Sequence, residues 1–259
     1  MLKQRSNLVV TTLLAVFLVP QLGLSQPYDT RVYTVATTPW GHPDFQGVWD
    51  RRTITPLERP ERLAGKAFLT AEEIIAYEQA SAARPDGRPL DARRAGISVH
   101  DPQDLDYGST VLATGQTSLI VDPPDGRIPA YTQAADERAA IAAKLRESRG
   151  SADSWTDRSL NERCLTWGMP NGMLPQAYNN NIQIIQTPNE VMILTEMVHD
   201  ARIIPLDGRP HIPENITQWH GDARGHWEGE TLVIETTNFS AKSSFHRSSS
   251  NLQLKERYT

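Results

Sequence analysis

Cysteine is nearly absent: Cys164 is the only one in 259 residues. A disulfide framework within the chain is therefore excluded, and so is a zinc site built on clustered cysteines. No H-E-x-x-H pair marks a metalloprotease helix, and no G-x-S-x-G elbow marks a serine hydrolase. Basic residues are in the minority, 26 Lys and Arg against 31 Asp and Glu, and they form no run. The net charge of −5 excludes a general nucleic-acid binder, which carries a basic excess. Long apolar runs are missing too. The longest, at 8–18, is roughly eleven residues broken by Thr11 and Thr12, against the about 20 that a membrane span needs.

That short run has another meaning. Lys3 and Arg5 precede it, Pro20 and Gly23 follow it, and Ser25 is small enough for a cleavage position. Charged, apolar and then small residues form the order of a secretory signal, so residues 1–25 are expected to be removed and the mature chain to be periplasmic or secreted, with no membrane span. Residues 26–259 then suffice for one large domain or two small ones. In an oxidising compartment the lone Cys164 is buried, reactive or paired with another chain, or its partner lies beyond the sequence. Residues 251–259 (NLQLKERYT) alternate like a strand with no turn after them, and read as a cut within a sheet.

Residues 26–115 read as an irregular N-terminal segment with one helix. Asp44-Phe45-Gln46-Gly47-Val48-Trp49 has the G-x-W form of a strand that opens a small barrel, or simply anchors a core through Trp49. A helix is expected over 71–83, opened by a Thr70/Glu73 capping box, carrying an apolar stripe of Ile74, Ile75 and Tyr77, and ended by Pro85. A second is expected over 134–148, with Gly150 as its stop. Strands dominate the remainder, 116–259. SLIV at 118–121 precedes a Pro-Pro-Asp-Gly turn. Residues 182–186 and 191–197 flank Thr187-Pro188-Asn189-Glu190 as a hairpin. Residues 227–230 turn the chain from 218–220 into TLVIETT at 231–237, where Leu232, Ile234 and Thr236 share one face. Asp-Gly-Arg followed by Pro occurs at 86–89 and 207–210, with a near copy at 125–129. These read as three similar turns, or as arginines placed around an anion.

The expected fold is mainly β: an antiparallel lipocalin-like β-barrel or sandwich with two α-helices and a long N-terminal wrap. Parallel α/β is disfavoured because helices do not alternate with the strands.

Chemistry concentrates at 196–228, where four of the seven histidines lie among aspartates and arginines. Imidazole titrates near neutral pH and a carboxylate fixes its tautomer. Three readings stand. A metal site would draw on His199, Asp200, His211, His220 and Asp222. A metal-free acid–base or hydrolytic site would use His199 or His220 as base and Asp200 or Asp222 as orienter. In the third, these residues serve turns and ion pairs. If 220–224 is extended, His220, Asp222 and Arg224 share a face, Gly221 and Gly225 permit close approach or a bulge, and Trp219 and Trp227 bracket the trio. Two indoles suit a ring-shaped ligand and the arginines, Arg202 and Arg224, an anionic group on it. Asn180, within Asn179-Asn180-Asn181, is a further ligand candidate, or a turn cap.

The phrases SLIVDPPDGRIP, ERCL, YNNNIQIIQTP, EMVHDARIIPLDGRPH, QWHGDARGHWEGETLVIETTNF and LKERYT, spread over about residues 40–259, resemble a group of exported bacterial proteins of soil and environmental genomes. The G-x-W start and the WEGETLVIET hairpin are similar to lipocalin-like barrels in general. The resemblance implies further strands and a second cysteine beyond Thr259. That group has no established catalytic residues, so none is transferred. The leading expectation is binding or conversion of a small molecule, aromatic or anionic, in a cavity lined by 196–228. The alternatives are a metal-free hydrolase or isomerase with a His–Asp pair, and a non-catalytic envelope interaction protein. No cofactor is expected, and nothing in the sequence specifies an oligomeric state.

Overall fold

The structure, a computed structural model, describes residues 35–84, 105, 107–243 and 245–259. The segment read as a signal peptide lies outside the described residues, as do Pro85 and the first Asp-Gly-Arg-Pro phrase. Residues 36–259 form one compact unit.

Period-two sequences form the strands. In β2 (Asn181–Gln186) Ile182, Ile184 and Gln186 are buried and their neighbours exposed. In β3 (Glu190–Thr195) Val191, Ile193 and Thr195 are buried. These two make the expected hairpin, with Gln186 opposite Val191 and the Thr187 hydroxyl accepting from the amides of Asn189 and Glu190. β3 stops short of 197, because Met197–His199 is a 3-10 turn in which Val198 and His199 take left-handed φ. β4 (Ala201–Pro205) adds on one side and β1 (Gly47–Asp50) on the other, giving an antiparallel sheet in the order β1-β2-β3-β4. The G-x-W segment is thus an edge strand, and Trp49 is largely exposed rather than a core anchor.

A second antiparallel sheet has the order β5-β6-β7, from β5 (Asp222–Glu228), β6 (Thr231–Thr237) and β7 (Leu254–Tyr258). Gly229, at φ +63°, turns β5 into β6, and Leu232, Ile234 and Thr236 face inward as expected. Residues 218–220 fall outside β5; Gln218 instead bridges to Phe239.

The sheets do not close into a barrel among the described residues. β4 ends at Pro205, and Pro210 and Pro213 lie in the connection to β5. Proline has no N–H to donate, so Pro205 offers no ladder bond where β4 ends, and the chain leaves the first sheet before β5 begins the second. The inner faces pack on each other instead. Ile182, Ile184, Val191, Ile193 and Ile204 from the first sheet share one core with Ala223, Leu232 and Ile234 from the second. Gly225 sets how close the sheets come: a Cβ there would lie 2.7 Å from a Leu206 methyl and 2.8 Å from an Ile204 methyl.

One charged pair crosses this core. Arg202 on β4 forks onto Glu256 on β7, its terminal nitrogens 2.6 and 3.1 Å from the carboxylate oxygens. The Tyr258 hydroxyl donates to the same carboxylate at 2.9 Å. Burial and the adjacent Glu256 charge both push the Tyr258 phenol well above its ordinary pKa. Arg202 is therefore a tie between sheets rather than an exposed ligand-binding side chain.

The helices are α1 (Ala71–Ala82) and α2 (Gln133–Glu147). The Thr70/Glu73 capping box forms as expected. The buried stripe of α1 is Tyr77 and Ser81, with Ile74 partly covered, whereas Ile75 points outward. α2 ends before Gly150, whose amide donates to Asp153 instead of closing the helix. SLIV at 118–121 is not a strand. It takes two hydrogen bonds, from Leu119 and Ile120 to the carbonyls of Pro56 and Leu57, but Pro56 cannot donate in return. The N-terminal wrap is held mainly by such single bonds and by buried polar side chains. Arg59 reaches Thr117 and the Pro124 carbonyl, and Gln186 bonds Phe45 N and the Pro43 carbonyl. The two described Asp-Gly-Arg phrases are turns, with Asp125 and Asp207 each accepting from the arginine amide two residues on.

Breaking a buried ion pair from one side strands the other charge, a loss of about 3–5 kcal/mol. Arg202→Met is expected to lower unfolding stability in urea by that order, and Arg202→Met with Glu256→Leu to recover most of it. A single variant as stable as the parent would remove the pair's assigned role. Gly225→Val should cost about 1–3 kcal/mol by overpacking the sheet interface.

Candidate functional site

Asp200 immediately precedes β4, and its backbone carbonyl is gripped by Thr195 N and Oγ1 at 2.9 and 3.3 Å. The left-handed residues Val198 and His199 fold the chain back so that its carboxylate turns inward while the His199 side chain is exposed. His220 lies just before β5. Gly221, at φ +70°, interrupts the alternation between His220 and Asp222, and a Cβ there would lie 2.5 Å from the Thr237 carbonyl oxygen. Asp222 and Arg224 do share a face of β5, but His220 is turned away from them, so the expected trio is a pair plus one.

His220 meets Asp200 and Thr166 instead. Its Nε2 is 3.1 Å from Asp200 Oδ2 and 2.6 Å from Thr166 Oγ1. The Thr166 hydroxyl is 2.8 Å from the same Asp200 oxygen, which also accepts the Trp167 amide at 3.2 Å. Proton accounting orders this triangle. Thr166 has one proton, donated to Asp200, and its oxygen accepts the Gly168 amide at 2.8 Å. Its remaining acceptor site takes the Nε2–H of His220. That leaves Nδ1 as the ring nitrogen open to a ligand. In a nucleophile–base–carboxylate relay the hydroxyl and the carboxylate bind opposite ring nitrogens. Here both sit on Nε2, so Thr166 is not arranged as a nucleophile. Burial raises the Asp200 pKa, but hydrogen bonds from His220 and Thr166 outweigh it and hold the carboxyl below its usual value.

Asp222 has a different partner. Its Oδ2 is 2.8 Å from His211 Nδ1 and accepts the Ile212 amide at 3.1 Å, and its Oδ1 takes Arg224 at 2.7 Å. Arg224 also donates to the carbonyls of Arg209 and Pro210. The group fastens residues 209–212 onto β5. Burial again works against ionisation, and His211, the Ile212 amide and Arg224 together hold Asp222 below its usual pKa. Among the described residues no three His, Cys, Asp or Glu side chains gather to hold a metal ion. The five residues of the metal reading are instead two separate His–Asp pairs and an exposed His199.

A groove of about 760 Å³ runs beside these residues, lined by His220, Asp222, Arg224, Arg202, Arg209 and Trp219 with apolar Ile203 and Ile212. Its arginines are already paired: Arg202 with Glu256, Arg209 with Asp207, and Arg224 with Asp222. Trp227 lies elsewhere, stacked on His42 at 5.1 Å and tilted against Phe45 at 5.3 Å, and does not bracket the groove with Trp219. Asn180 is buried, its amide closing a turn onto the Gln176 backbone at 2.8 and 2.9 Å. Cys164 is exposed, not buried.

Comparison with protein-family models, curated proteins and solved structures finds no match to this chain. The site therefore rests on its own geometry.

The sequence reading included His220 with Asp200 among its base–orienter combinations, but grouped His220 with Asp222 and Arg224 and set that trio between Trp219 and Trp227, and neither grouping forms. It missed Thr166, whose Thr-x-Gly spacing to Gly168 marks a local turn but not a contact with residues 34 and 54 positions on. It considered His211 only as a metal ligand.

Both aspartates are depressed in the folded state, so each stabilises the fold above the unfolded carboxylate pKa, and that stability is lost as pH falls through the folded value. Unfolding stability in urea, followed from about pH 6 to about pH 3, should fall more steeply in the parent than in Asp200→Asn or Asp222→Asn. Parallel curves would show that neither pair is linked to folding.

Proposed function

We propose that this chain is an exported protein that binds and converts a small molecule in the groove, with His220 as the hydrogen-bonding or acid–base group and Asp200 and Thr166 as its positioning residues. The observation that carries the reading is the single-nitrogen clamp: Nε2 of His220 held by both Asp200 and Thr166. A histidine held so has its tautomer fixed and one nitrogen free, which is what proton transfer requires. The groove volume, about 760 Å³, lies in the range of small-molecule sites. Trp219, partly exposed on its wall, offers a ring face for stacking. Export rests on the N-terminal order of charge, apolar run and small residues.

The second reading is proton-transfer chemistry of the isomerase type, favoured over acyl transfer by the placement of Thr166 on the protonated nitrogen. A lipocalin-like barrel would need ladder bonds joining β4 to β5 and β7 to β1, and neither edge is paired among the described residues.

Two measurements test the proposal. Nitrogen NMR of the imidazoles should find His220 in the Nε2–H form when neutral, and Asp200→Asn should relax that preference. A thermal-shift screen of small aromatic acids and sugars should yield compounds that raise the midpoint of the parent but raise that of His220→Ala much less. Flat shifts across the screen, or equal shifts in both proteins, would count against the groove.

A further inference from the structure

The arginines of the groove are spent on partners within the fold, but unneutralised positive charge exists on the far side of Thr166. A second cavity, of about 450 Å³, lies between the 155–171 segment and the Ala241–Ser243 turn. Three tryptophans line it, Trp155, Trp167 and Trp219, and three cations, Arg158, Arg163 and Lys242. Among the described residues no aspartate or glutamate lines it. Half of the chain's six tryptophans therefore face one small space.

The charges there are unequal in availability. Arg158 is 3.4 Å from Glu162 and is partly neutralised. Arg163 has no carboxylate partner among the described residues; its guanidinium rests over the Trp155 ring, 4.6 Å from the centroid. Lys242 makes no ion pair with the described residues. Trp155 itself is 62% exposed, a large apolar surface left in water beside a cation.

These features select a ligand class. An indole face stacks on an aromatic ring, and a guanidinium already lying over that indole presents its edge donors in the geometry a carboxylate accepts. A second cation across the opening adds attraction for the same negative charge, with no acidic lining among the described residues to oppose it. The volume falls in the range of small-molecule sites.

We propose that this cavity is a binding site for a small aromatic carboxylate, its ring against Trp155 and Trp219 and its carboxylate on Arg163 and Lys242. The site adjoins the groove and shares Thr166 and the Trp219 ring with it, but its charged contacts, Arg163 and Lys242, belong to it alone, and it does not require His220 to act on a ligand.

The test uses the full chain with 1-naphthoate as probe and 1-naphthamide, its uncharged counterpart, as control. Tryptophan fluorescence and calorimetry follow the titration. 1-Naphthoate is expected to bind saturably, more weakly as salt rises. The amide, and the Arg163→Gln/Lys242→Gln variant, should each bind at least about tenfold more weakly, the loss expected for charge-assisted contacts. His220→Asn should bind as the parent does. Both substituted cations lie at the surface of the cavity, and unchanged thermal midpoints without probe will confirm that folding is intact. Equal affinity for acid and amide, undiminished binding by the double variant, or no saturable binding would each overturn the site. Binding that is lost in His220→Asn but kept in the double variant would place the ligand in the groove, overturning this proposal and sustaining the earlier one.

Discussion

The fold turns on a charge pair in an apolar place. Arg202 and Glu256 meet between the inner faces of two sheets that share no hydrogen-bonded edge. Burying two charges costs several kcal/mol per ion before their attraction is counted, and the geometry must be good to offset it. Here the fork is bidentate, Tyr258 donates to the same carboxylate, and Thr236 lies 3.5 Å from the guanidinium. What the pair contributes is alignment. A one-residue slip of β4 would place Arg202 on the outer face and bury Ala201 and Ile203 in its stead. The pair therefore fixes which way β4 faces and, one residue upstream, where Asp200 begins its turn toward His220.

The second sheet constrains the other half of the site in a similar way. Gly225 lets β5 approach Ile204 and Leu206, and Asp222 at the head of β5 is fully engaged in holding 209–212. Two aspartates that look alike in sequence thus do different work. Asp222 spends its oxygens on His211, a backbone amide and Arg224, and serves the scaffold. Asp200 spends one oxygen on a histidine that still has a free nitrogen beside the groove.

Much of this was open to reading from local pattern. Alternation revealed β2, β3 and β6, a four-residue signature revealed the start of α1, and Asp-Gly-Arg revealed two turns, because each depends on neighbours in sequence. What escaped depends on distant partners. SLIV has the composition of a strand but lies opposite Pro56, which cannot complete a ladder. The trio at 220–224 assumed an extended backbone, and the left-handed Gly221 reversed one member of it. Barrel and sandwich share the same strands and differ in whether the sheet edges bond, β4 to β5 and β7 to β1, which is a matter of long-range pairing that local pattern does not encode. The basic, indole-lined cavity draws on 155–171 and 241–243, far from the histidine-rich stretch that attracted attention.

Thr166 is the physical boundary between the two cavities, and its bonding capacity is full. Its oxygen accepts from Gly168 and from His220 and donates to Asp200. A hydroxyl has one proton and two lone pairs, so no further strong hydrogen bond is open to it. A ligand in either cavity that engaged Thr166 would do so by displacing His220, Asp200 or the Gly168 amide, and loss of either of the first two would free Nε2 or unshield the carboxylate. The two cavities are thus chemically joined through one saturated hydroxyl and share the Trp219 ring, even though the charged and acid–base residues that would bind a ligand in each are distinct. A ligand held only by Trp155, Arg163 and Lys242 leaves that hydroxyl alone, and the clamp on His220 is then unaffected by what the second cavity holds.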